Sequence, residues 1–168
     1  MEKGADILVS ALKDHFAREW DMLKEMIGSI PDDEWTKGDV DQVIPVQHVV
    51  HVIVGANVFV GDIPFEEYDP SEFLGQEAKE GAPWTISPEE LWSKEVALQK
   101  LAEMRTIVDE LLTRLNDAAL FEPEKVHPWT GQTRMGKMLY EIRHIQHHLG
   151  AVDAELSRRG IKGFRRWN

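Results

Sequence analysis

Residues 42–61 read QVIPVQHVVHVIVGANVFVG, and whether this run is a strand or a helix decides the fold. Val46, Val49, Val50, Val52, Ile53, Val54, Val58 and Val60 suit a strand by type, since β-branched side chains pack well on a pleated surface. Three features oppose that. The run is far longer than a usual strand of about five or six residues. Pro45 fits the first helical position, where its missing N–H goes unused. His48, His51 and Gly55 lie three to four apart, which gathers them on one face of a helix. The spacing predicts a helix over about 45–61, and a helix apolar on nearly every side belongs at the centre of a domain. The run is about long enough to cross a bilayer. Its two histidines, Asn57 and two glutamines, with no basic flank, argue instead for a buried helix in a soluble protein with no membrane partner.

Three more helices flank it. Leu8, Leu12, Phe16, Leu23, Met26 and Ile30 recur at three, four or seven residues, a helical stripe over about 5–30. Pro31-Asp32-Asp33-Glu34-Trp35 ends it and allows a short extra turn. Ser87, Pro88 and Glu90 read as a capping box opening a third helix. Its seam is Ala97, Leu101, Met104, Val108, Leu111 and Leu115, ending near Asn116. The fourth starts at a Thr133 cap, runs along Leu139, Ile142, Ile145, Leu149, Val152 and Leu156, and closes at Gly160. Four such helices in one chain predict an all-α four-helix bundle, a single domain over 1–168. The long connector over about 62–86 can carry the chain back along the bundle. Helices 2 and 3 can then run parallel, in up-down-down-up order.

Composition narrows the function. The chain has 168 residues with 42% apolar content, enough to bury a core without staples. It has no cysteine, which removes disulfides, thiolate ligands and a cysteine nucleophile together and suits a cytoplasmic setting. Asp6, Lys13 and Asp14 interrupt any signal-peptide apolar region. A net charge of −11 repels phosphate backbones and disfavours nucleic-acid binding. The basic stretch from Arg158 to Trp167 is the exception, and reads as a helix C-terminus followed by a docked tail, where cations complement the helix dipole.

Five of the seven histidines sit on two helices: His48 and His51 on the second, His144, His147 and His148 on the fourth. His144 and His148 share a helical face. Imidazoles so placed can converge on one ion at about 2.0–2.1 Å, the logic of the helical H-x-x-x-H pair. The protease glutamate is missing, since Ile145, Gln146 and His147 lie between. A pair of this kind also arises by chance on a surface helix. His51 lies on an otherwise apolar helix, and an unpartnered polar ring there costs about 1–3 kcal/mol. Either a ligand role or a hydrogen bond to a carbonyl or carboxylate has to compensate.

The run Arg143-His144-Ile145-Gln146-His147-His148-Leu149-Gly150 resembles the last-helix motif of the DinB/YfiT-like superfamily of metal-binding four-helix bundles. Pro45 with His51 resembles the proline-led start of that family's second helix. His127-Pro128-Trp129-Thr130-Gly131 also looks familial. The resemblance implies a left-handed bundle with one divalent ion on His51, His144 and His148, and His48 and His147 as near alternatives. His147 lies about 100° around the helix from His148, and the glycine two residues on selects His148.

Three neutral imidazoles leave a coordination position open, the mark of a catalytic rather than a structural site. Nitrogen ligands suit zinc, nickel, iron or copper, with zinc or nickel expected. Some family members are transferases or isomerases that use thiols such as bacillithiol or mycothiol. The resemblance therefore implies a metal-dependent thiol transferase acting on a small molecule. The alternative is a non-catalytic metal-binding stress or interaction protein; a plain bundle with core histidines is the third reading. Glu141, one turn before His144, is a candidate base or ligand-supporting group, though a solvated carboxylate is the commoner state. Trp129 and Tyr140 are candidate pocket walls, and 127–131 a candidate rim. Six tryptophans and the long connector suggest a homodimer.

Overall fold

The computed structural model describes residues 6–38, 43–69, 71 and 83–162. Among these there is no strand, and four α-helices carry the fold: α1 (Ile7–Ser29), α2 (Pro45–Val60), α3 (Lys94–Thr113) and α4 (Arg134–Arg158). They pack as an all-α four-helix bundle, with α1 and α2 each against both α3 and α4. Residues 70 and 72–82 of the 62–86 connector and the end of the basic tail lie outside the described residues.

The decisive run is helical. Pro45 stands in the first turn of α2, and every residue of that helix except His51 and Asn57 is buried. Burying each Val or Ile is worth about 1.5–3 kcal/mol, more than the roughly 1 kcal/mol span of β-propensity. Packing against α3 and α4 therefore overrides the valines' preference. No helix among the described residues is long and apolar enough to cross a membrane.

The other helices differ in detail from the pattern reading. Glu19, which interrupts the α1 stripe, is itself buried and takes a hydrogen bond from Gln146 of α4. The first turn of α1 is capped from a distance. Asp117 accepts from the Leu8 and Val9 amides at 3.0 Å each, which satisfies donors that the helix cannot and places an anion at the positive end of its dipole. The capping box at Ser87 is corrected: Pro88–Glu90 is a separate 3-10 turn, and Ser93 caps α3 by accepting from the Val96 amide at 3.3 Å. Leu91 and Trp92, just after that turn, are buried, so the chain has to break between the two serines to place them. In α4, Leu139 is 49% exposed and Met138 takes its place on the buried face. In α3 the seam passes through Leu112 where Leu111 was expected.

Both ends of α4 match their signals. Thr133 caps it by accepting from the Gly136 amide at 3.3 Å. Gly160 sits at φ +74°, with Gly160 N–H donating to Ser157 and Ile161 N–H to Leu156, the Schellman closure that only glycine enters freely. Arg158 and Arg159 are ion-paired with Glu155, and Arg159 also with Glu34.

Candidate metal centre

The centre lies where one face of α2 meets one face of α4. His144 Nε2 is 2.9 Å from His51 Nε2, and His148 Nδ1 is 2.9 Å from His48 Nδ1. The ring centroids of His51, His144 and His148 are mutually 4.7–4.8 Å apart. One ring nitrogen from each of the three falls within 4.8 Å of the others. The approach needs Gly55: a Cβ there would meet His144 Cε1 at 3.0 Å. A glycine in the middle of a helix costs about 1 kcal/mol against alanine, so its place opposite a histidine is a packing requirement.

The structure brings His51, His144 and His148 together and leaves His147 out. His147 is exposed and touches the group only through the His148 ring at 5.1 Å. His48 is buried next to the group. Burial, with the neighbouring rings of His144 and His48, pushes His51 down to about 3. Burial and four surrounding histidines push His148 down to about 2. Both rings are therefore neutral at pH 7, the form that binds a metal.

Glu141 corrects the expectation of a solvated carboxylate: it is 0% exposed, with Oε2 3.4 Å from His144 Nδ1. Burial raises its carboxyl above the usual range, and His144 offsets this in part. Tyr140 stacks on the His144 ring at 5.9 Å and touches Trp129 at 5.0 Å. Trp129 is 55% exposed, so it belongs to the surface beside the site and not to the core. His127 is buried in ring contact with Phe59, Phe65 and Trp129. The 127–131 segment thus stands beside the histidines, as a rim would.

Two neighbours went unread in the sequence. Trp84 packs at 5.1 Å on both His48 and His51, and comes from an aperiodic Gly/Pro-rich link that gives no signal. Lys137 is buried between Asp62 and Glu124; an isolated lysine near a helix start reads as a surface cation.

His51 and His144 stand as two ligands of one divalent ion would, with His148 beside them. Two nitrogens each about 2.0–2.1 Å from a shared ion stand about 2.9–3.4 Å apart for angles from right to tetrahedral, and the observed gap is 2.9 Å. Facing neutral nitrogens at that distance need either a proton or a cation between them.

The family model of the DinB superfamily matches residues 15–152, a span that includes all three histidines. No curated protein and no solved structure matches the chain.

Proposed function

We propose, for a chain that belongs to the DinB superfamily, that it holds one divalent ion, zinc or nickel, on His51, His144 and His148 and transfers a low-molecular-weight thiol to a small electrophile. The observation that carries this reading is the convergence of three ring nitrogens with no fourth protein donor in the group, among the described residues. Glu141, the nearest carboxylate, sits on the Nδ1 side of His144, whereas His51 is at Nε2. A bound ion would supply Lewis-acid stabilisation of the thiolate, which is otherwise scarce at neutral pH for a thiol of pKa about 8.5.

The protein's part is reception and positioning. The chain has no cysteine, so the sulfur comes from outside. Tyr140 and Trp129 on one side and Trp84 on the other flank the histidines. These rings give an apolar wall that excludes water from a charged sulfur. In the transfer, the sulfur–carbon bond forms as the electrophile's leaving group departs, and the thiol proton passes to solvent.

The up-down-down-up order belongs to the same proposal. It is supported by antiparallel pairing of α2 with α4, through His48–His148 and Phe59–Tyr140, and of α1 with α3, through Lys13–Thr113 and Asp21–Arg105, together with α1 and α4 running the same way, Glu19 meeting Gln146 and Glu34, just past α1, meeting Arg159. A homodimer is also proposed, on the exposed Phe121 and Leu139.

The test compares metal-loaded, metal-free and His51→Ala protein in a thiol-dependent assay with an electrophilic substrate. Activity is expected only in the loaded wild type, with the helical circular dichroism signal unchanged throughout. A metal-loaded protein inert toward a panel of bacillithiol-type thiols and electrophiles would move the assignment to the non-catalytic metal-binding reading.

A further inference from the structure

Glu141 is the buried acid that the proposed chemistry leaves unused. Neither of its carboxylate oxygens has a hydrogen-bond partner, and the side chain is wholly enclosed. A buried carboxylate without a donor is strongly disfavoured. His144 Nδ1 is likewise buried without a partner, 3.4 Å from Glu141 Oε2. The two orphans are complementary, because an imidazole N–H donates and a carboxylate only accepts. The i,i+3 spacing on α4 holds them on one helical face, and a small rotation of either side chain closes the bond.

The rest of the His144 environment fixes the ring plane but not its proton. Tyr140 stacks on the ring, with 12° between the planes, and Gly55 lies against Cε1. What remains open is which nitrogen carries the hydrogen. A proton held at Nδ1 leaves Nε2 bare, and Nε2 is the atom facing His51 at 2.9 Å. His148 is held differently, by His48 at its Nδ1.

We infer that Glu141 is a positioning residue that accepts the Nδ1–H of His144 and so turns its bare Nε2 toward His51 and His148. Its effect on metal rests on the three-histidine reading; its effect on the His144 tautomer does not. Glu141 lies on the opposite nitrogen of His144 from the shared centre, so it does not touch a substrate.

The experiment is long-range 1H–15N NMR on histidine-labelled wild type, Glu141→Gln and Glu141→Leu, each metal-free and zinc-loaded, with zinc affinity measured by chelator competition. His144 is expected in the Nδ1–H form in wild type with or without zinc. Gln, whose side-chain oxygen still accepts, should keep that tautomer. Leu should release it toward Nε2–H and weaken zinc about 10–100-fold. An Nε2–H tautomer in metal-free wild type would overturn the inference, as would a Leu variant unchanged in tautomer and affinity. Should the Leu variant fail to fold, the wild-type and Gln spectra decide. An Nδ1–H wild type that takes up no zinc would sink the metal reading and leave the role of Glu141 standing.

Discussion

Replacing Lys137 with methionine should destabilise the protein by about 3 kcal/mol. The Lys137 side chain is 1% exposed, and its ammonium contacts Asp62 and lies 2.7 Å from Glu124, itself 3% exposed. Burial pushes the ammonium down to about 8, so it remains mostly charged at pH 7. Methionine keeps most of the stem's volume and removes the charge, which isolates the electrostatic loss from a cavity. Removing one partner of a buried pair costs about 3–5 kcal/mol, and two features place this case at the low end. Asp62 is 41% exposed and regains water. Glu124 keeps the Val126 and His127 amides at 2.8 and 2.7 Å. For a chain of this length each kcal/mol lowers Tm by about 2–4 °C, so a drop of about 6–12 °C is expected in thermal melts followed by circular dichroism. Because Glu124 anchors the segment carrying His127 and Trp129, amide exchange over 122–133 should also quicken. A double variant with Glu124→Gln should lose less than the sum of the single losses. A fall in Tm under 2 °C would refute the reasoning, since it would mean that no buried charge had been left unpaired.

The remaining predictions concern the histidines and one glycine. His144→Ala and His148→Ala should each abolish most zinc binding in chelator competition, whereas the exposed His147 should be replaceable by alanine with little change. His51 and His148 stay neutral down to about 3 and 2, so protons do not compete for them between pH 7 and 5. An imidazole of ordinary pKa near 6.5 loses about 25-fold in its neutral fraction over that range; measured zinc affinity should fall by far less than three such factors, and a fall of all three would contradict the burial argument. The same depression means that the metal-free fold binds fewer protons than the unfolded chain, so its stability in urea should decline as pH drops from about 6.5 toward 3. Gly55→Ala should bring opposed effects: a helix propensity gain of up to about 1 kcal/mol, and weaker zinc binding because the new Cβ meets His144 Cε1 at 3.0 Å. A variant that bound zinc unchanged would show that the ring has room to shift.

Much of the fold was legible because it rests on local rules. Pro45, Thr133 and Gly160 marked ends by backbone chemistry that holds in any context, and the structure places them there. The i,i+4 geometry separated His144 and His148 from His147 without any tertiary information. What escaped was set by contacts distant in sequence. Asp117 caps α1 from 108 and 109 residues away, and Ser87 met the local pattern of a cap while the burial of Leu91 and Trp92 moved the helix start to Lys94. Leu139 looked like a seam residue, but the buried face of α4 passes through Met138 and Glu141. That same rotation buries Glu141, a carboxylate that pattern alone puts in water. Trp84 reaches the site from a link without periodicity, which only the folded chain reveals.

The central claim, that three histidines of this chain hold one ion, is tested most directly by zinc-edge X-ray absorption on protein loaded with one equivalent of zinc. The account predicts full uptake and a first shell of three imidazole nitrogens at about 2.0–2.1 Å with one further light ligand from solvent, lost in His148→Ala. Failure to take up stoichiometric zinc, or a shell lacking imidazole, would contradict it.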